Sequence, residues 1–179
     1  MVQKMVGAIA LLIAEAIKKV EPEKTASIAV MKYSLEVIIQ TLLTLLYIGI
    51  IGILTDALTE TMFGALGFVV LRFFSGGLHL RTAIHCSITS TILISIAPHI
   101  PLNGKWIIIV TGVSFVLMLC FAPSNIERHA RIPKKYFPFL KLISTLIVAL
   151  NFFFLESYLA MVFLFQAITT IPYRKEAKK

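Results

Sequence analysis

The sequence predicts an all-α integral membrane protein: six transmembrane helices behind an amphipathic N-terminal segment in the interface, with both termini cytoplasmic. Three observations predict it. The chain is 58% hydrophobic with a mean hydropathy of +0.90, whereas a soluble domain holds about 45–50% apolar residues. The apolar residues fall in continuous runs near the ~17–25 residues that cross a bilayer. They do not alternate, so of the two backbones that satisfy their own polar groups in lipid, helix and closed barrel, they select the helix. The net charge of +8 lies at the ends of these runs and not in an aromatic-interleaved patch, so the expected anionic partner is membrane lipid and not nucleic acid.

In chain order, Val6, Ile9, Ile13, Ile17 and Val20 recur at helical spacing, with Lys4, Glu15 and Lys18 on another face. This predicts an interfacial amphipathic helix within residues 1–26, ended by Glu21-Pro22-Glu23. No cleaved leader is expected: Met1 to Lys24 lacks a small-residue cleavage site, and Glu15, Lys18 and Lys19 break its apolar stretch. The six spans are expected at about 30–54, 57–74, 83–100, 104–121, 138–155 and 157–172, within one domain covering 1–179. Only Glu156 and Ser157 separate the last two, and a tight hairpin is expected there because the combined run is about twice a membrane thickness.

With six spans, every basic residue of the 17 except Lys105 falls on one side. Lys4, Lys18, Lys19, Lys24 and Lys32 precede or open span one, and Arg72 and Arg81 flank the second-to-third connection. Arg128, Arg131, Lys134, Lys135 and Lys141 lie in or beside the 122–136 loop, and Arg174, Lys175, Lys178 and Lys179 end the chain. Asp56, Glu60 and Glu156 join Lys105 opposite. The basic side is therefore expected to be cytoplasmic.

That side carries the chemistry. Arg72 to Cys86 reads Arg-Phe-Phe-Ser-Gly-Gly-Leu-His-Leu-Arg-Thr-Ala-Ile-His-Cys and interrupts two oily segments with a cationic, glycine-hinged connection. Thr82 is placed to cap the third span, which puts Cys86 about one turn into it. There the helix dipole, Arg72 and Arg81 favour a thiolate while apolar burial opposes it. His79 is the candidate base. In one continuous helix His79 and Cys86 would lie about 10 Å apart along the axis, so Gly76 and Gly77 must bend the backbone for the pair to meet.

Bland readings stand beside these. Cys86 could be a small core residue, and Arg72 could snorkel to the headgroups. His85, adjacent to Cys86, points elsewhere on a helix and reads as packing or hydrogen bonding. A zinc site of His79, His85 and Cys86 matches no strong ligand spacing, and no metal or other cofactor is expected. Cys120 is the rival nucleophile but lacks a glycine-hinged histidine, since His129 would have to fold back from its loop. Glu36 inside span one is more simply paired with Lys32 four residues earlier. Gln40, Asn151 and Gln166 read either as interhelical hydrogen bonds or as peptide contacts. Gly49, Gly52, Gly64 and Gly67 suggest close helix packing. Two cysteines suggest no disulfide framework. Gly-x-Ser-Gly, His-Glu-x-x-His, Walker A and dinucleotide motifs are all absent.

Arg72, then Gly76-Gly77-x-His79, then Cys86 seven residues on, with the six-span length and the basic loop after Ala122-Pro123, resembles the accessory gene regulator B (AgrB) family of Gram-positive quorum sensing. The resemblance covers nearly the whole chain. It implies a membrane cysteine endopeptidase that removes the C-terminal tail of an AgrD-like autoinducer propeptide and permits closure to a thiolactone or lactone ring. It implies Cys86 as nucleophile, His79 as base, Arg72, Gly76 and Gly77 as supporting residues, and a homodimer in the plasma membrane with its site facing the cytoplasm. Leu78 departs from the aromatic that many members carry. The rival reading, a six-span peptide transporter or exporter without covalent chemistry, expects paired ionisable residues or broken helices near the midplane; the charges here sit at the boundary instead. A catalytically silent relative acting as a binding partner is a third reading.

Overall fold

A computed structural model of the chain describes residues 2–78, 83–124 and 133–172. Among these the regular elements are helices: α1 (Val2–Val20), α2 (Ile28–Leu54), α3 (Leu58–Ser75), α4 (Ala83–Ile96), α5 (Gly104–Phe121), α6 (Phe137–Ala149), α7 (Asn151–Phe154) and α8 (Ser157–Thr170), with single 3-10 turns at Ala97–His99 and Lys134–Tyr136. Among the described residues, four runs are long and apolar enough to cross a membrane: Ile28–Leu54, Leu58–Ser75, Gly104–Phe121 and Lys134–Phe154. The expected third and sixth spans are shorter than 83–100 and 157–172. α4 and α8 have 14 residues each, a rise of about 21 Å against a hydrocarbon core of ~30 Å. Proline accounts for both ends. Pro98 sits inside the 3-10 turn that follows α4, and Ile171, the residue before Pro172, is extended at φ −59° and ψ 126°.

The described residues form two compact units. The first comprises 2–47 and 83–91, the second 48–78, 92–124 and 133–172. In the first, α1 buries Val6, Ala10 and Ala14, each four residues apart. It meets α2 at Gly7, where a Cβ would come within 3.1 Å of Glu36 Oε1. Val6 thus faces protein, while Ile9, Ile13, Ile17 and Val20, expected on the same stripe, are exposed with Met5 and Leu12. The turn after α1 is tied by Lys18 Nζ, which donates to the carbonyls of Pro22 and Thr25 at 2.6 and 3.1 Å. Between α2 and α4, Gln40 Nε2 donates to Ser87 Oγ at 3.0 Å, and Thr44 and Ser87 share a short hydroxyl bond.

In the second unit α3 and α5 each pack on both α6 and α8, closing a ring of four helices. Its core holds Phe68, Leu71, Met118, Val148, Val162 and Phe163. The seams are lined by buried Thr61, Ser114, Ser144, Thr145 and Thr170. Their hydroxyls donate back to carbonyls of their own helices at 2.6–2.9 Å. Small, internally satisfied side chains let helix backbones approach where lipid supplies no hydrophobic drive. Gly52 serves the same end: a Cβ there would meet Leu58 Cα at 3.0 Å, so the α2–α3 hairpin closes tightly through Asp56 at φ 53°.

The expected break at Glu156 is present. α7 ends at Phe154, Leu155 adopts φ 53°, and α8 starts at Ser157. Buried Asn151 stitches the break. Its Nδ2 donates to Thr111 Oγ1 at 3.0 Å and to the Glu156 carbonyl at 3.2 Å, and its Oδ1 accepts from Glu156 N–H at 3.2 Å. Exposed Trp106, Phe153 and Phe154 lie in the sequence beside Lys105 and Glu156, the composition of an interfacial aromatic belt.

Candidate functional site

The chain leaves α3 through two glycines because it must turn where side chains are not tolerated. Gly76 N–H closes the helix on the Arg72 carbonyl at 2.9 Å, with Gly76 at φ 66° and ψ −135°. Gly77 follows at φ 127°, in the positive-φ region open to glycine. A Cβ at Gly77 would sit 2.6 Å from Thr169 Oγ1 and 3.3 Å from Gln166 Nε2.

Beyond the turn, the segment is held on three sides within the second unit. Gly77 N–H donates to the Ser124 carbonyl at 2.8 Å, and Ser124 N–H donates to the Ser75 carbonyl at 2.9 Å. That is a one-residue parallel bridge between Gly76 and Ser124. Leu78 N–H donates to the Thr169 carbonyl of α8 at 2.7 Å, and the Leu78 carbonyl accepts from Arg72 Nη2 at 2.8 Å. Both backbone groups of Leu78 are therefore committed. The next residue in the chain is His79.

Arg72 does not snorkel. Its guanidinium turns back to the chain that follows it, donating from Nη1 to Gln166 Oε1 at 3.2 Å as well as to Leu78. It lies 5.8 Å from the Phe68 ring centroid, inside cation–π range. Gln166 is fully buried. Its Nε2 donates to Ser75 Oγ at 3.0 Å and to the Gly76 carbonyl at 2.7 Å. Its Oε1 also accepts from Thr169 Oγ1 at 3.2 Å.

In the first unit Cys86 is the fourth residue of α4, half-buried, while neighbouring His85 is exposed. Cys86 and Cys120 are both thiols, and Cys120 is exposed in the last turn of α5. Ser87, next to Cys86, carries the hydrogen bonds to Gln40 and Thr44, so Gln40 is interhelical. Glu36 pairs with Lys32 at 3.7 Å, as the i−4 spacing suggested. His79, Arg81, Thr82, Arg128, His129 and Arg131 lie outside the described residues, and with them the His79–Cys86 pairing. Among the described residues no three His, Cys, Asp or Glu side chains group as metal ligands would.

Sequence reasoning placed Arg72, Gly76 and Gly77 in the supporting set. It left Gln166 undecided and missed Ser75, Ser124 and Thr169. One signal was available for Gln166: an amide in an apolar run needs partners for all its polar atoms, and Thr169 is one turn away. Ser75 and Ser124 meet through backbone groups, Ser124 N–H donating to the Ser75 carbonyl, which no side-chain pattern reveals.

The family model described as accessory gene regulator B matches residues 9–171. A protein of Listeria monocytogenes named AgrB-like is 29% identical over 154 residues, covering 79% of this chain and 75% of its own length. The accessory gene regulator protein B of Staphylococcus lugdunensis is 26% identical over 132 residues, 68% of this chain and 70% of that protein. A third, named AgrB-like, from Halalkalibacterium halodurans, is 28% identical over 125 residues; the match takes in 70% of this chain and 64% of the relative. No solved structure matches.

Proposed function

The chain belongs to the accessory gene regulator B family, which implies a part in quorum-sensing peptide processing, and on that premise we propose that it is a membrane cysteine endopeptidase acting on an autoinducer propeptide. Cys86 is the nucleophile and His79 its base. The Cys86 sulfur attacks the scissile carbonyl while His79 takes the thiol proton and delivers it to the leaving amine, releasing the C-terminal tail and leaving a thioester on Cys86. An internal thiol or hydroxyl of the bound peptide then attacks that thioester and regenerates the Cys86 thiol. For a thiol this exchange is close to energy-neutral, so closure needs no ATP provided water is kept away.

The observation that carries this reading is the anchoring of Leu78. The residue before the proposed base has its N–H and carbonyl both fixed, by Thr169 and Arg72. Such backbone restraint is what a general base needs and a passive loop does not. Six crossings complete the topology, with both termini and the site on the cytoplasmic side. α4 and α8 are the short crossings, which a bundle accommodates by local bilayer thinning. The enzyme acts as a homodimer, and the amphipathic propeptide approaches along the lipid interface. The test is cleavage, in proteoliposomes, of the propeptide encoded by the short reading frame beside the gene. Cys86→Ala and His79→Ala each abolish cleavage and Cys120→Ala retains it; cleavage surviving in Cys86→Ala refutes the assignment.

A further inference from the structure

We propose that Gln166 is a positioning residue of this site: from α8 it sets the Arg72 guanidinium and the Gly76 carbonyl, and through them the backbone that presents His79. The inference rests on the peptidase reading above and adds to it a residue outside the Arg72–Cys86 stretch.

An amide side chain has two donor hydrogens and an oxygen with two lone pairs. At Gln166 both donors and the oxygen are engaged. The donors go to Ser75 Oγ at 3.0 Å and the Gly76 carbonyl at 2.7 Å. The oxygen accepts from Arg72 Nη1 at 3.2 Å, and Thr169 Oγ1 lies 3.2 Å from it with its one proton shared with the Gln166 backbone carbonyl at 2.7 Å. The amide has one orientation here, because a carbonyl faces Nε2 and a guanidinium faces Oε1. With both donors committed and no exposure to substrate, Gln166 acts only through what it holds.

What it holds is both ends of one lever. Arg72 grips the Leu78 carbonyl at 2.8 Å, and Thr169, bonded to Gln166, supplies the carbonyl that accepts Leu78 N–H at 2.7 Å. Removing the amide frees the guanidinium to swing off Leu78 and leaves the Gly76 carbonyl without this donor inside the bundle. Both changes loosen the residue that precedes His79. No other side chain does the same: methionine matches the shape without polar atoms, glutamate lacks the donors for Gly76, and asparagine is one methylene short.

The test uses the full chain in proteoliposomes with two readouts. The first is kcat and KM for the propeptide above. Gln166→Met is expected to lower kcat by about 100-fold, the order expected for a misplacement near 1 Å, with KM within about threefold. The second is alkylation by iodoacetamide, followed at Cys86 and Cys120 in the same molecule by mass spectrometry. The Cys86 rate falls in Gln166→Met, as in His79→Ala, while the Cys120 rate stays put; general loosening of the bundle would raise both instead, and that result overturns the proposal. If Gln166→Met does not accumulate, Thr169→Val and Thr169→Ser decide. A fall in kcat in the first, restored in the second, supports the proposal, and wild-type kcat in both overturns it. Wild-type kcat and Cys86 alkylation in Gln166→Met, alongside a dead His79→Ala, overturn it and leave the peptidase reading intact. Cleavage by Cys86→Ala instead overturns the peptidase reading, and this inference with it.

Discussion

Gly77→Ala puts the geometry of the site under direct strain. The backbone sits at φ 127°, a conformation that costs a non-glycine residue about 1–3 kcal/mol. The new methyl also lands 2.6 Å from Thr169 Oγ1, inside any allowed contact, so the threonine must rotate. Rotation gives up the bond of its one proton, which goes to the Gln166 carbonyl at 2.7 Å with Gln166 Oε1 at 3.2 Å as the second, longer acceptor, worth about 0.5–1.5 kcal/mol net. The whole perturbation is therefore about 1.5–4.5 kcal/mol, concentrated on the segment before His79. At about 1.4 kcal/mol per tenfold, cleavage should fall more than tenfold. Thermal unfolding in detergent and cleavage in proteoliposomes should be measured for Gly77→Ala, Thr169→Ala and the double variant. The two singles both lose the threonine bond, so the double must be less damaging than their sum, with a coupling of about 0.5–3 kcal/mol. Strict additivity, or a Gly77→Ala protein with wild-type stability and rate, would refute the placement of Gly77 against Thr169.

Two other predictions test the fold. Asn151→Leu keeps the volume but takes the partner from Thr111 Oγ1 and from Glu156 N–H, leaving the Glu156 carbonyl only its bond from Ala160 N–H, so it should destabilise the protein by about 1–3 kcal/mol; an unchanged melting temperature in detergent would show that the break before α8 does not depend on this amide. For topology, in a chain lacking Cys86 and Cys120, Lys105→Cys should react with an impermeant maleimide in intact cells and Lys135→Cys only after the cells are opened. Equal labelling of the two in intact cells would remove the six-crossing arrangement.

Much of the helix layout is readable from hydropathy because lipid demands self-satisfied backbone. Gly104–Phe121 matches its expected range, and α3 and α6 start within one residue of theirs. The α4 end was misread because Ala97-Pro98 is as apolar as what precedes it; the proline ends the helix without changing the hydropathy. On α1 the stripe departs from expectation only at Val6, which is buried. An apolar arc that wide has two uses: Val6, Ala10 and Ala14 face protein, and Ile9, Ile13 and Ile17 remain exposed. At the site, Gly76 and Gly77 were legible because paired glycines announce a turn. The roles of Gln166, Thr169 and Ser124 were not, because they arise from contacts spanning some 90 and 48 positions of chain, which no local pattern encodes.

The proposed chemistry is tested most directly by looking for its covalent intermediate. Propeptide whose internal ring-forming residue is replaced by alanine cannot close, so the acyl group should accumulate on the enzyme. Peptide mapping by mass spectrometry should then find the N-terminal fragment of the propeptide on Cys86, released by hydroxylamine as a thioester is, and absent from His79→Ala. Tail release with no adduct on Cys86, or an adduct on Cys120 instead, would contradict the account.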